Sequence, residues 1–150
     1  MICPRYSLLL PLALLACSPA PAPTASPTTS LVVPADPHLG VYFVDGTIND
    51  TPVTFLVDTG ASMLNLPISS AKSMGIAIPK TYQWATISDG SKIQTYSADI
   101  KTLKVGGCTL NNVPATFSDT SSPYALFGES VIKKVSLVVA NDRMKISCKG

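Results

Sequence analysis

The chain has 150 residues, 46% of them hydrophobic and 13% charged, with a net charge of +2. The charged fraction is about half the ordinary one, which excludes a polyelectrolyte chain and points to one globular domain. Lys and Arg are scattered, with no run longer than Lys133-Lys134, which argues against nucleic acid as a partner, and the single histidine, His38, supplies neither a metal cluster nor the base of a Ser-His or Cys-His hydrolase.

Residues 1–16 read as a signal peptide: one charge, Arg5, precedes an apolar run, Tyr6 to Leu15, too short to cross a bilayer of about 30 Å. Its end, Leu14-Leu15-Ala16-Cys17, resembles the lipobox of bacterial lipoproteins. That resemblance implies cleavage before Cys17, lipidation of Cys17 with palmitate among its acyl chains, and a place in the bacterial cell envelope. With Ser18 following Cys17, it implies the periplasmic side of the outer membrane. Residues 17–38 then form the lipidated Cys and a Pro-rich tether, because Ser18 to Pro37 holds six of the 13 prolines and few large apolar side chains. Extended, twenty such residues reach roughly 60 Å. The folded domain is expected over residues 39–150.

Within that domain the pattern is mostly short strands. Gly40 to Val44 and Pro52 to Val57 are β-branched and aromatic runs, separated by Asp45-Gly46 and Asn49-Asp50 as turn signals. Further strands are expected at Tyr82 to Ile87, Ile93 to Val105, Thr109 to Phe117, Val135 to Val139 and Arg143 to Ser147. Asp89-Gly90 marks a hairpin tip, since both residue types tolerate positive φ. Two short helices are expected, Ser69 to Met74 closed by Gly75, and Glu129 to Lys134.

Chemistry concentrates at Phe55-Leu56-Val57-Asp58-Thr59-Gly60-Ala61-Ser62. Here a carboxylate leaves an apolar strand where the chain must turn, a setting in which carboxyl groups become reactive. Composition alone yields about 0.04 Asp-Thr-Gly triplets in such a chain, although Asp and Gly are also ordinary turn residues. Further along, Tyr124-Ala125-Leu126-Phe127-Gly128 is a second apolar segment ending at glycine ahead of a short helix.

Together these segments resemble the retropepsin-like aspartic proteases, over roughly Val41 to Ile146. The resemblance implies a mainly β, closed barrel of the acid protease fold with one or two short helices. It is nearer to bacterial single-domain members, with the Gly106-Gly107 turn ahead of the strand leading to Leu126. By resemblance Asp58 is the catalytic residue, Thr59, Gly60 and Ala61 form the active-site loop, and Leu126, Phe127 and Gly128 form the loop that supports it. Trp84 to Tyr96, with Asp89 and Gly90 at its tip, takes the place of the flap that closes over a polypeptide substrate. Where relatives often carry an uncharged residue after the second glycine, this chain has Glu129.

Peptide hydrolysis of this type needs two carboxyl groups sharing a proton, and the chain has one Asp-Thr-Gly. Asp119-Thr120-Ser121 and Ser88-Asp89-Gly90 lack the glycine turn or the preceding apolar strand. An active enzyme is therefore expected to be a homodimer with Asp58 from each copy, needing no metal or cofactor. Thr59 would lock the two loops across the axis, and Gly60 would let them approach. Ala61, lacking the hydroxyl found in related two-domain enzymes, implies an optimum near about pH 5 to 6.

Trp84 and Tyr82 alternate on a strand and are expected to pack into the core, with the substrate cleft as the other choice. With Cys3 removed and Cys17 lipidated, Cys108 and Cys148 remain as an expected disulfide, within one chain or between two. The rival to a protease is a lipoprotein module that binds extended peptides on the same fold without turnover.

Overall fold

The computed structural model describes residues 30–149, so Cys17, the signal peptide and most of the tether expectation lie outside the described residues. Ten strands and one short helix follow in order: β1 Ser30–Pro34, β2 Phe43–Ile48, β3 Thr51–Val57, β4 Leu64–Pro67, β5 Gln83–Thr86, β6 Lys92–Val105, β7 Cys108–Ser118, β8 Ala125–Phe127, α1 Glu129–Ile132, β9 Val135–Ala140 and β10 Arg143–Cys148.

Three of the hairpins turn on two consecutive residues with positive φ, which matches the right-handed twist of the strands they join. Asn49 and Asp50 (φ 46° and 65°) join β2 to β3, Gly106 and Gly107 (55° and 79°) join β6 to β7, and Asn141 and Asp142 (51° and 55°) join β9 to β10. Asp45-Gly46, expected as a turn, instead lies inside β2, with Asp45 opposite Thr54 and Gly46 opposite Val53. Its glycine answers to a different demand. A Cβ at Gly46 would overlap the Lys104 carbonyl oxygen, so glycine lets β2 and β6 meet at Gly46 and Val105.

That meeting closes a barrel. Strands run β2-β3-β8-β4-β7-β6, and β6 pairs back onto β2, leaving β5 as an appendage on the far end of β6. The interior is filled by Val44, Ile48, Phe55, Leu64, Leu66, Ile100, Leu103, Val113, Phe117 and Phe127, all essentially buried. Phe55 and Phe127 meet edge to face with ring centroids 5.5 Å apart. Along β6 the side chains on the barrel side shift from even positions, half-buried at Tyr96 and Ala98 and buried at Ile100, to odd ones at Leu103 and Val105. Its partner β7 makes the same change beside Asn112, whose φ of 51° kinks the strand.

A second sheet, β1-β10-β9, sits beside the barrel. The Cys108–Cys148 disulfide, with Cα atoms 5.2 Å apart, ties the end of β10 to the start of β7 within one chain. The boundary expected at residue 39 is corrected here. Ser30 to Pro34 pair with Ser147 to Arg143, and Leu31 and Val33 pack on the core, so a three-residue apolar run within the Pro-rich stretch is enough to make an edge strand.

Two other local expectations change. Ser69 to Met74 does not form an α-helix: a 3₁₀ turn covers Ile68–Ser70, and looser turns carry the chain to Gly75. Ser70 Oγ donates to Pro67 O at 2.7 Å and Ser73 Oγ to Ser70 O at 2.8 Å, taking carbonyls that a helix would use. Strand β4 was not expected from the sequence, since Leu64-Asn65-Leu66-Pro67 is short and ends in proline. It forms because β7 and β8 both offer it partners.

Candidate active site

Asp58 follows the last residue of β3. Val57 lies opposite Phe127 of the parallel strand β8, and the Asp58 N–H donates to the Phe127 carbonyl at 3.3 Å. The chain then turns sharply. Asp58 Oδ1 accepts the Gly60 N–H at 2.8 Å, and Asp58 O accepts the Ala61 N–H at 3.3 Å. The carboxylate is partly buried, whereas Thr59 and Gly60 are exposed, so the loop presents its backbone outward.

Gly128 supports this loop from below. A Cβ there would overlap the carbonyl oxygens of both Met63 and Ala61, so only glycine admits the loop at that distance. The neighbouring amides continue the contact: Glu129 N–H donates to Ala61 O at 2.8 Å and Ser130 N–H to Ser62 O at 3.2 Å. Leu126 and Phe127 hold this segment in the barrel, Phe127 fully buried and Leu126 partly so, opposite Leu56. Glu129, the acid adjoining the loop, turns its carboxylate to Lys133 Nζ at 2.9 Å.

Ser130 was not singled out in the sequence. Its Oγ accepts the Leu64 N–H at 2.8 Å and donates to Pro114 O at 3.0 Å, joining α1 to two strands. A hydroxyl two residues past a glycine that opens a helix is its only sequence signal. Asn65 is a second such residue: Nδ2 donates to Thr116 Oγ1 at 3.0 Å, and Oδ1 accepts Ser118 Oγ at 3.1 Å.

The hairpin of β5 and the start of β6 carries Asp89 and Gly90 at its tip, with Gly90 at φ 85°. Asp89 Oδ1 accepts the Ser91 N–H at 2.8 Å. Hydrogen bonds from the Ser91 side chain and backbone hold the Asp89 carboxyl below its ordinary value. Neither Tyr82 nor Trp84 enters the core, against expectation. Tyr82 is 48% and Trp84 59% exposed, because β5 extends past the barrel and has nothing packed over it.

A family model described as gag-polyprotein putative aspartyl protease matches residues 44–134, a span that includes the Asp58 loop, the hairpin of β5 and β6, and Gly128. The chain belongs to the gag-polyprotein aspartyl protease family. No curated protein sequence matches it significantly. Among solved structures, this aspartyl protease family member is similar to a retropepsin-like aspartic protease from Rickettsia conorii, at 18% identity and a TM-score of 0.63, covering 77% of this chain and 97% of that one. It is also similar to EIAV protease complexed with the inhibitor HBY-793, at 23% identity and a TM-score of 0.51, covering 65% and 90%. At such identities the likeness concerns the fold, a retropepsin-like closed barrel.

Proposed function

We propose that the protein is an aspartic endopeptidase whose active form is a homodimer. The observation that carries this reading is the Asp58 loop itself: an Asp at the end of an apolar strand, fixed by the Gly60 N–H and backed by Gly128, with its outer face uncovered. One chain supplies one carboxylate on this loop, and acid–base hydrolysis of a peptide needs two. A second copy placed across the exposed Thr59 and Gly60 brings Asp58 and the partner's Asp58 together. One carboxylate then takes a proton from water as that water attacks the peptide carbonyl, and the other, protonated, donates to the carbonyl oxygen. Collapse of the tetrahedral adduct releases the amine after it takes up a proton from the dyad.

The chain is further proposed to be lipid-anchored through Cys17 on the periplasmic side of a bacterial membrane. Because β1 begins at Ser30, the tether is residues 18–29, which span at most about 40 Å. Anchoring in one plane raises the effective concentration of the copies and favours a weak dimer.

The test compares wild type with Asp58→Asn on a denatured protein over pH 3 to 7, alongside sedimentation to read the oligomer. Cleavage by a dimer and none by the variant are expected. Equal inactivity of two folded, dimeric proteins would favour the peptide-binding module instead.

A further inference from the structure

The flap hairpin has two faces, and the register says which is which. In an antiparallel pair directly opposed residues share a face, and alternate residues of a strand do too. Trp84 lies opposite Gln94, and Gln94, Tyr96, Ala98 and Ile100 alternate along β6. The last of these is buried in the barrel, as is Phe117 opposite Tyr96. The side of the flap that carries Tyr82, Trp84, Gln94 and Tyr96 is therefore continuous with the barrel interior, and it opens to solvent toward the tip, where Tyr82, Trp84 and Gln94 are exposed. The aromatic groups touch there, Tyr82 to Trp84 with centroids at 5.7 Å and Tyr82 to Tyr96 at 6.2 Å.

Beside the hairpin lies a cavity of about 460 Å³, lined by Gln94 and Tyr96 of this face, by Ile93 of the opposite face at the strand's edge, by Ile68 after β4 and by Asp119 after β7. Its size is that of a site for a small ligand or a large side chain. Three of its walls are apolar or aromatic, and its one charged group is a carboxylate. Asp119 has no ion pair or hydrogen bond among the described residues, unlike Asp50 and Glu129, which have lysine partners. Lys92 shares the face of Gln94 but does not line the cavity.

We propose that this cavity receives a lysine or arginine side chain of an extended polypeptide substrate, with Ile68, Ile93 and Tyr96 covering its aliphatic stem and Asp119 pairing with its cationic head. Charge complementarity selects this occupant: Asp119 is exposed to solvent, so it repels an acidic side chain and gains a modest ion pair from a cationic one, while an aliphatic one gains nothing from it. A long cationic side chain has both the apolar stem and the charged tip that such a site demands. The Tyr96 ring, the one aromatic group in the lining, adds attraction for a cation passing over its face. The proposal rests on the protease reading and assigns its substrate class.

Trp84 is the single tryptophan of the chain, so its fluorescence reports binding at the flap without any turnover. The full chain carrying Asp58→Asn is titrated with alanine-based ten-residue peptides that hold Lys, Arg, norleucine or Glu at successive positions. Peptides with Lys or Arg at one position are expected to bind about fivefold tighter than their norleucine counterparts. Adding Asp119→Asn brings the Lys-to-norleucine ratio close to one, and Asp119→Lys turns the preference toward Glu. A Lys preference that survives Asp119→Asn, equal binding of Lys and norleucine, or no binding of any peptide overturns the proposal. Intact binding with no cleavage of the same peptides by wild type would instead sink the protease reading and leave the cavity assignment standing.

Discussion

Gly128 and Ala61 meet backbone to backbone: the glycine has no room for a Cβ because the Ala61 carbonyl oxygen occupies its place, and the amide after it donates to that same oxygen at 2.8 Å. The Asp58 loop is thus shaped by a residue 70 positions away in sequence. Gly128→Ala must push the loop outward or distort β8. It is expected to cost about 1–3 kcal/mol in urea unfolding and, given the proposed function, to abolish peptidase activity before it abolishes folding.

Ser130 acts on the same loop through Leu64. Removing its hydroxyl leaves a partly buried N–H and a carbonyl without that partner, so Ser130→Ala should lower stability by about 1–2 kcal/mol. An unchanged denaturation midpoint would show that water replaces it fully.

The Cys108–Cys148 disulfide closes a 40-residue separation and fixes the second sheet to the barrel. Double replacement by serine is expected to lower unfolding free energy by about 2–4 kcal/mol, read by denaturation of oxidised protein against the variant.

Asp50 is held below its ordinary value of 3.8 by hydrogen bonding and charge attraction from Lys104 Nζ at 2.6 Å. A carboxyl depressed on folding contributes stability above its unfolded value, and loses it as pH falls through the folded one. Lys104→Met should therefore return the Asp50 titration, followed by NMR, toward 3.8. It should also remove stability at neutral pH, a difference that fades as the pH falls below 3.8 and through the lower folded value. The group is fully exposed, so the effect is small.

Ala61 offers the loop no hydroxyl. Given the proposed dyad, wild type should turn over best near about pH 5 to 6, and Ala61→Thr should shift the acid limb of the pH–rate profile downward. Maximal wild-type turnover near pH 2 would contradict this.

A chain beginning at Leu39 lacks β1, whose Leu31 and Val33 rest on the core beside β10. Its unfolding free energy should fall by about 2–4 kcal/mol relative to a chain beginning at Ser30.

Much of the barrel was legible because its strands are strongly β-branched and its hairpins carry Asn-Asp, Asp-Gly and Gly-Gly. The turn at Asp58 was legible for a similar reason, since Asp-Thr-Gly after the apolar Phe-Leu-Val marks where the strand must end. What escaped depends on partners distant in the chain. Gly46 reads as a turn residue until β6 is laid against it, and β4 has too few residues to announce itself without β7 and β8. Trp84 looks like a core residue because alternation describes a face and does not say whether anything covers it. Ser130 and Asn65 are ordinary polar residues until the strands they bridge are adjacent.

The register of β1 against β10 sets how force would pass through the molecule. Ser30 lies opposite Ser147, next to Cys148, whose sulfur is bonded to Cys108 at the root of the longest hairpin. A pull on the chain ahead of Ser30 loads β10 at the end that is covalently riveted to the barrel. β10 cannot then be peeled from the barrel at this end, and load that the β1–β10 hydrogen bonds carry reaches β7 through a bond that mechanical tension does not readily break.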